Sequence, residues 1–180
     1  MTFSIIGCGD SGKEWDGSGI SIGVNDAAKF GHPLTYLLVC NRPQQFSSER
    51  LETIINTRPK YFYSHKSNWA EWFPEWKKLR LETWGTHRYH LVKGHYYASD
   101  TSPFIAMTLA YNLGATKIII YGVDFKHHHI FHELNPQTNR EVERYKQLVE
   151  ALREQGVEVY LGAKGSALES FLTVYKKELV

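Results

Sequence analysis

The sequence predicts a single α/β domain built on a mostly parallel sheet with helices on both faces. Three observations carry that prediction. Short runs rich in Ile, Val and Leu recur along the chain, and from about residue 100 they alternate with helix-length segments. Most of the runs end in Gly, Asn or Asp. In parallel α/β sheets, strands that are buried on both faces read as near-continuous apolar runs, and their C-terminal ends turn sharply into loops.

Taken in order, Phe3–Ile6 is the first strand, running into the glycine turn "GCGDSG" at Gly7 to Gly12. "GISIGVN" is the second strand and "LTYLLVCN" (Leu34 to Asn41) the third. "SSERLETIINT" reads as a short helix, with Ser47 or Ser48 as N-cap and Leu51, Ile54 and Ile55 on one face. "PKYFYS" is a fourth strand. Thr101 or Ser102 caps the next helix, Pro103 occupies its first turn and Gly114 stops it, and Lys117 to Tyr121 forms the following strand. A helix from Arg140 to Gln155 ends at Gly156 and leads into the strand "VEVYLG"; Ser166 then caps a last amphipathic helix to about Leu179.

Between the two halves lies an aromatic-rich insertion at about 65–97, which holds every tryptophan but Trp15. Trp69, Trp72 and Trp76 fall at helical spacing with Pro74 interrupting. Two readings stay open there: the aromatic side of a helix packed on the sheet, or a lid or acceptor platform beside a site.

The bulk properties exclude several classes. One domain of 180 residues can bury a core without covalent staples. A net charge of +2 gives no electrostatic argument for nucleic acid as partner, and no stretch reaches the length of a membrane span. Cys8 and Cys40 read as reduced thiols at the edge of a core. The N-terminus carries no signal-peptide pattern, so a soluble cytoplasmic protein is expected, with no cofactor or native metal. A homo-oligomer stays open.

The glycine turn has the form of a dinucleotide fingerprint, but the flanks oppose that reading. A fingerprint needs a helix of several turns after the glycines, to hold a pyrophosphate at its N-terminus. Here only Lys13 to Asp16 can be helical before Gly17, Gly19 and the next strand. What remains is a turn without side chains at the end of a first strand, where a ligand's phosphate or sugar can approach the backbone closely.

The other strand ends agree. Gly7, Gly9, Asn25, Asn41, Thr101, Ser102, Gly122 and Asp124 would gather along the C-terminal edge of a parallel sheet. Small amide and hydroxyl groups suit ribose, base and phosphate oxygens. Ser11 lies in the same turn, and Arg42 or Lys13 can neutralise phosphate.

The blocks "IIGCGDSGKEWD", "GVNDAAKF", "YLLVCN" and "TSPFIAMTLAYNLGATKIIIYGVDF" resemble successive blocks of the bacterial sialyltransferases that use CMP-sialic acid. They also resemble the related Rossmann-like domains of unknown or pterin-diphosphokinase type. The resemblance covers residues 1–41 and 101 to about 171 and leaves out the aromatic middle. It implies a Rossmann-like fold in which Gly9, Asn25, Asn41, Thr101 and Ser102 line a nucleotide pocket. It also implies a catalytic histidine after "GVDF", for which His132 is the nearest match and His127 to His129 are alternatives. The turn departs from the family pattern in having Cys8 between its glycines and Asp10-Ser11-Gly12 after them. The diphosphokinase branch would want acidic residues after the third strand to hold magnesium, and this chain has "CNRP" there.

In "DFKHHHIFHE", His128 and His132 stand four apart, so on a helix they could share a metal; no third ligand falls at diagnostic spacing. A polar loop at the mouth of the cleft and a general base are the other readings. The expected function is that of a small glycosyltransferase-like enzyme acting on a nucleotide sugar, with His132 as base. The alternatives are a nucleotide-binding module without turnover and a diphosphokinase-like phosphoryl transferase.

Overall fold

The computed structural model describes residues 1–125 and 135–176. Seven strands form one sheet in the order β5-β4-β3-β2-β1-β8-β9, with every pairing parallel. They are β1 (Thr2–Ile6), β2 (Ile20–Val24), β3 (Tyr36–Leu38), β4 (Tyr61–Ser64), β5 (Lys77–Lys78), β8 (Lys117–Tyr121) and β9 (Glu158–Leu161). A second pair, β6 (Leu81–Thr83) with β7 (Tyr96–Ala98), is also parallel. Among the described residues three α-helices accompany them: α1 (Ser48–Asn56), α2 (Ser102–Asn112) and α3 (Pro136–Glu154). The predicted α/β class is the observed one.

Strand β1 sits in the middle of the large sheet, Ile5 facing Ile22 on one neighbour and Ile120 on the other. Because successive side chains point to opposite faces, Ile5 and Ile6 enter different cores. Ile5 packs with Val24, Leu38 and the buried residues of α2 and α3. Ile6 packs with Leu37, Val39, Phe62, Trp69 and Ile54 of α1. Helix α2 is buried along Phe104–Tyr111, which explains its lack of a polar face.

The connection from β1 to β2 contains one 3-10 turn, Asp10–Glu14, so the absence of a crossover helix read from the sequence holds. Elsewhere the structure corrects three expectations. Helix α3 begins at Pro136, four residues earlier than predicted, with Asn135 accepting a bond from the Gln137 N–H as N-cap. The last predicted helix is a single 3-10 turn, Ala167–Ser170, although Ser166 does cap it through the Leu168 N–H. The β-branched Thr173 and Val174 then return the chain to the sheet edge. The Leu161 N–H donates to the Thr173 carbonyl and the Tyr175 N–H to the Leu161 carbonyl.

The tryptophan-rich segment is likewise no long helix. Ser67–Glu71 makes one 3-10 turn, and the chain leaves it before Pro74. Trp69 is fully buried, and Trp72, Phe73 and Trp76 pack around the α1-side core. Trp84, Leu91 and Tyr97 join the opposite core with α2. The aromatic residues thus cover both faces of the sheet.

Candidate functional site

Parallel strands bring the C-terminal ends of β1, β2, β3, β4 and β8 to one edge, and the residues singled out by their position at strand ends meet there. The glycine turn is tied into the end of β8. The Gly7 N–H donates to the Tyr121 carbonyl (2.8 Å) and the Gly9 N–H to the Gly122 carbonyl (2.9 Å). A Cβ on Gly9 would lie 2.7 Å from an Asp124 oxygen and 2.9 Å from the Gly122 oxygen, so only glycine admits this approach. Ser11 completes the knot. Its N–H donates to Asp124 Oδ2 (2.9 Å), its hydroxyl bonds Asp124 Oδ1, and it accepts from the Gly122 N–H (2.8 Å). Ser11 and Asp124 therefore brace the turn against the strand beside it.

At the end of β2, Asn25 takes the left-handed conformation (φ 51°), with its N–H bonded to the Leu38 carbonyl. Its side-chain Oδ1 is buried and has no hydrogen-bond partner among the described residues. Next to it, Asp26 is buried and gathers charge-assisted bonds from Arg50, Nη2 at 2.6 Å and Nε at 3.0 Å, with the Lys29 ammonium at 3.7 Å. Burial alone would raise the Asp26 pKa, but the Arg50 hydrogen bonds and charge, with Lys29, outweigh it and hold the carboxyl below its ordinary value. Cys8 contacts the same carboxylate; burial and the Asp26 charge push its thiol up to about 12. It is therefore protonated at neutral pH and no nucleophile.

The ends of β3 and β4 supply the rest. Burial pushes Cys40 up to about 12, with hydrogen bonding to Ser102 and the charge of Lys66 pulling the other way. That interaction brings the end of β3, the first residue of α2 and the end of β4 together. Asn41 is exposed, and its backbone carbonyl accepts from the Trp69 indole N–H at 2.9 Å. Arg42 and Lys66 line a cleft of about 510 Å³ together with Gln44 and Gln45. Two cations beside a cleft at this edge match anionic oxygens of a ligand.

Thr101 behaves differently from its neighbours. Its hydroxyl bonds Glu141 Oε1 (3.1 Å) and the Tyr145 hydroxyl (2.7 Å), joining the start of α2 to α3. It is the N-cap residue of α2, yet its side chain makes no cap bond, because the hydroxyl is committed to α3.

His132 and the His127–His129 run lie outside the described residues. Sequence reasoning missed His65, which directly follows the last residue of β4. Its Nδ1 is buried without a partner among the described residues, and burial, reinforced by the charge of Lys66, lowers its pKa. The rule that singled out the other strand ends, applied to "YFYSHK", would have found it. Arg50 was also missed, since its pairing with Asp26 spans 24 positions.

No protein-family profile and no curated protein sequence matches the chain. Solved structures do. One is the sialyltransferase CstII from Campylobacter jejuni in complex with the substrate analogue CMP-3FNeuAc. It matches at a TM-score of 0.59 and 14% identity over 98% of this chain and 86% of that one. Another, the same sialyltransferase with a trisaccharide acceptor and CMP, matches at 0.58 and 11% over 100% and 89%. The monofunctional α-2,3-sialyltransferase Cst-I from the same organism matches at 0.56 and 14% over 96% and 79%. At these identities the likeness establishes a shared fold.

Proposed function

We propose that this chain is a glycosyltransferase-like enzyme that holds a nucleotide-activated sugar along the C-terminal edge of its sheet. The observation that carries the reading is Asn25. A buried amide oxygen with no partner among the described residues costs stability unless a ligand donor satisfies it. It sits between the glycine turn and Cys40, in a fold shared with sialyltransferases solved with CMP and a CMP-sugar analogue. In this reading the Gly7–Gly9 backbone, Asn25, Asn41 and Ser102 contact the nucleotide, and Arg42 with Lys66 faces its phosphate. Ser11, Asp124 and Thr101 hold these groups in position.

In the transfer step a histidine base removes the proton of an acceptor hydroxyl. The oxygen bonds the anomeric carbon, and the nucleotide leaves with the electron pair of the broken glycosidic bond. His132 is the base implied by the family resemblance. His65 is the second candidate, because the lowered pKa leaves its imidazole neutral at neutral pH. Two features favour this chemistry over phosphoryl transfer. The end of β3 carries no carboxylate, and the Asp26 and Asp124 carboxylates at this edge are already engaged by Arg50 and Ser11.

Thermal shift with CMP and with CMP-activated sialic acid, followed by release of CMP in the presence of glycan acceptors, tests the proposal. Stabilisation by both compounds and acceptor-dependent release are expected. His132→Ala or His65→Ala, whichever is the base, should lower turnover by ~10²–10⁴ with little change in CMP affinity. Stabilisation without turnover on any acceptor would replace the enzyme with a nucleotide-binding module. No response to any nucleotide would overturn the site itself.

A further inference from the structure

Strands β6 and β7 carry a second constellation that the nucleotide site does not use. Glu82, in the middle of β6, lies between two imidazoles. His87 Nε2 is 3.0 Å from Glu82 Oε2, and His95 Nδ1 is 2.5 Å from Glu82 Oε1. One donor atom from each of the three residues falls within 4.8 Å of the other two. Tetrahedral zinc with ligand bonds near 2.0–2.1 Å holds its ligand atoms about 3.3 Å apart, so closing around an ion requires only small side-chain movements.

The donors are fixed from behind. The Tyr97 ring, fully buried, stacks on His95 with centroids 6.4 Å apart and meets His87 edge-on at 6.0 Å. Asn112 of α2 donates to the His95 carbonyl at 2.6 Å and accepts from the Gly94 N–H at 2.6 Å. Glu82 is anchored because β6 pairs with β7 in a register that sets it opposite Tyr97. Side chains held by packing and second hydrogen bonds form a preorganised donor set. All three are only half-buried, so an ion can enter, and an open position remains for water.

We propose that Glu82, His87 and His95 bind one divalent transition-metal ion of the zinc class, and that the ion clamps the 84–95 connection onto the β6–β7 pair. The donor set consists of two imidazoles and one carboxylate, which suits zinc and its neighbours better than magnesium or calcium. Each imidazole binds as the neutral tautomer, with its proton on the other ring nitrogen. The role is structural. His95 stands at the N-terminal end of β7, whereas the proposed nucleotide edge lies beyond its C-terminal end. A pair of three-residue strands is marginal by itself and gains from a crosslink. This inference is independent of the glycosyltransferase reading.

The test is metal uptake by the full chain. His127, His128 and His129 are replaced by Gln so that the histidine run cannot compete. Dialysis against micromolar ZnCl₂ should load one equivalent, and the melting temperature should rise by roughly 5–10 °C at a hundredfold excess over the dissociation constant. His87→Gln with His95→Gln, or Glu82→Gln alone, should weaken zinc binding by about 100-fold or more. Because such variants can lose fold, the unsubstituted site is also read directly. Co²⁺ should give a four-coordinate absorption spectrum, and zinc should shift the imidazole ¹⁵N resonances of His87 and His95 above all others. Absence of stoichiometric uptake overturns the proposal. So does uptake that leaves those two imidazoles unshifted, or that persists unchanged in folded His87→Gln/His95→Gln protein.

Discussion

Asn25 illustrates how much one side chain can decide. It adopts a conformation with φ 51° that few residues tolerate, and it carries a buried oxygen without a partner among the described residues. Asn25→Ala should weaken CMP binding by about 1–3 kcal/mol, the cost of leaving a ligand donor unpaired, as read by calorimetry. Stability of the free protein should fall by about 1 kcal/mol, because alanine tolerates the left-handed backbone at this position less well than asparagine. A variant that binds CMP as tightly as the parent would remove Asn25 from the site. Asp26, one residue on, serves the fold. Its folded pKa lies below the unfolded value, so its contribution is present above the ordinary carboxylate pKa, near 3.9, and is lost as pH falls through the lower folded value. Arg50→Gln should cost about 1–2 kcal/mol at pH 7, a figure kept low because Arg50 is 42% exposed and screened by solvent. The difference from the parent should shrink below pH 4 as Asp26 protonates, in urea denaturation at each pH. An unchanged difference at pH 3 would show that Arg50 acts through its stem packing.

At the scale of elements, the junction of α2 with α3 separates positioning from contact. Ser99 and Thr101 both bond the buried Glu141, and Thr101 also meets the buried Tyr145 hydroxyl. Thr101→Val keeps the shape and removes the hydroxyl, taking one bond from the buried Glu141 carboxylate and one from the buried Tyr145 phenol. The variant should lose about 1–3 kcal/mol of stability while CMP affinity stays within twofold. A fall in affinity without a fall in stability would place Thr101 in contact with nucleotide, as the family resemblance implies. The elements also show where sequence is legible. Ile, Val and Leu runs closed by Gly or Asn marked β1, β2 and β8, because burial on both faces leaves few other choices, while β9 showed as an alternation of buried Val159 and Leu161 with exposed Glu158 and half-buried Tyr160. Helix α3 starts earlier than its apolar pattern predicts because Asn135-Pro136 is a capping pair set before any apolar repeat. The final segment has a helical pattern, yet the edge of β9 offered unpaired backbone groups, and pairing with Thr173 and Tyr175 satisfied them.

Across the whole molecule, the sheet edge was legible because a parallel fold places all strand ends on one side. The ion pairs and the Glu82–His87–His95 cluster were not, because sequence spacing carries no record of which loops fold back on which strands. The same contrast sets how firmly each part is held. Strand β1 is bonded on both sides, and Ile5 and Ile6 are fully buried. The ends of the 84–95 connection are tied down by buried Trp84 and Leu91 and by the Asn112 bond to the Gly94 N–H, whereas its middle carries turn bonds between residues three or fewer apart, such as Arg88 N–H to the Gly85 carbonyl and His90 N–H to the His87 carbonyl. Arg88 and Tyr89 both take left-handed conformations there, at φ 53° and 62°, each costing about 1–3 kcal/mol outside glycine. Openings that relieve this strain need not disturb the large sheet. In metal-free protein, amide exchange at 86–90 should therefore proceed through local opening, insensitive to low denaturant. Exchange at Ile5, Ile6 and Ile120 should require global unfolding and follow the denaturant dependence of overall stability. The predicted gap is at least about 10²-fold in protection, corresponding to a difference of roughly 3 kcal/mol in opening free energy. Equal protection in the two regions would show that β6 and β7 unfold only with the rest of the domain, and that the large core alone already holds the connection closed.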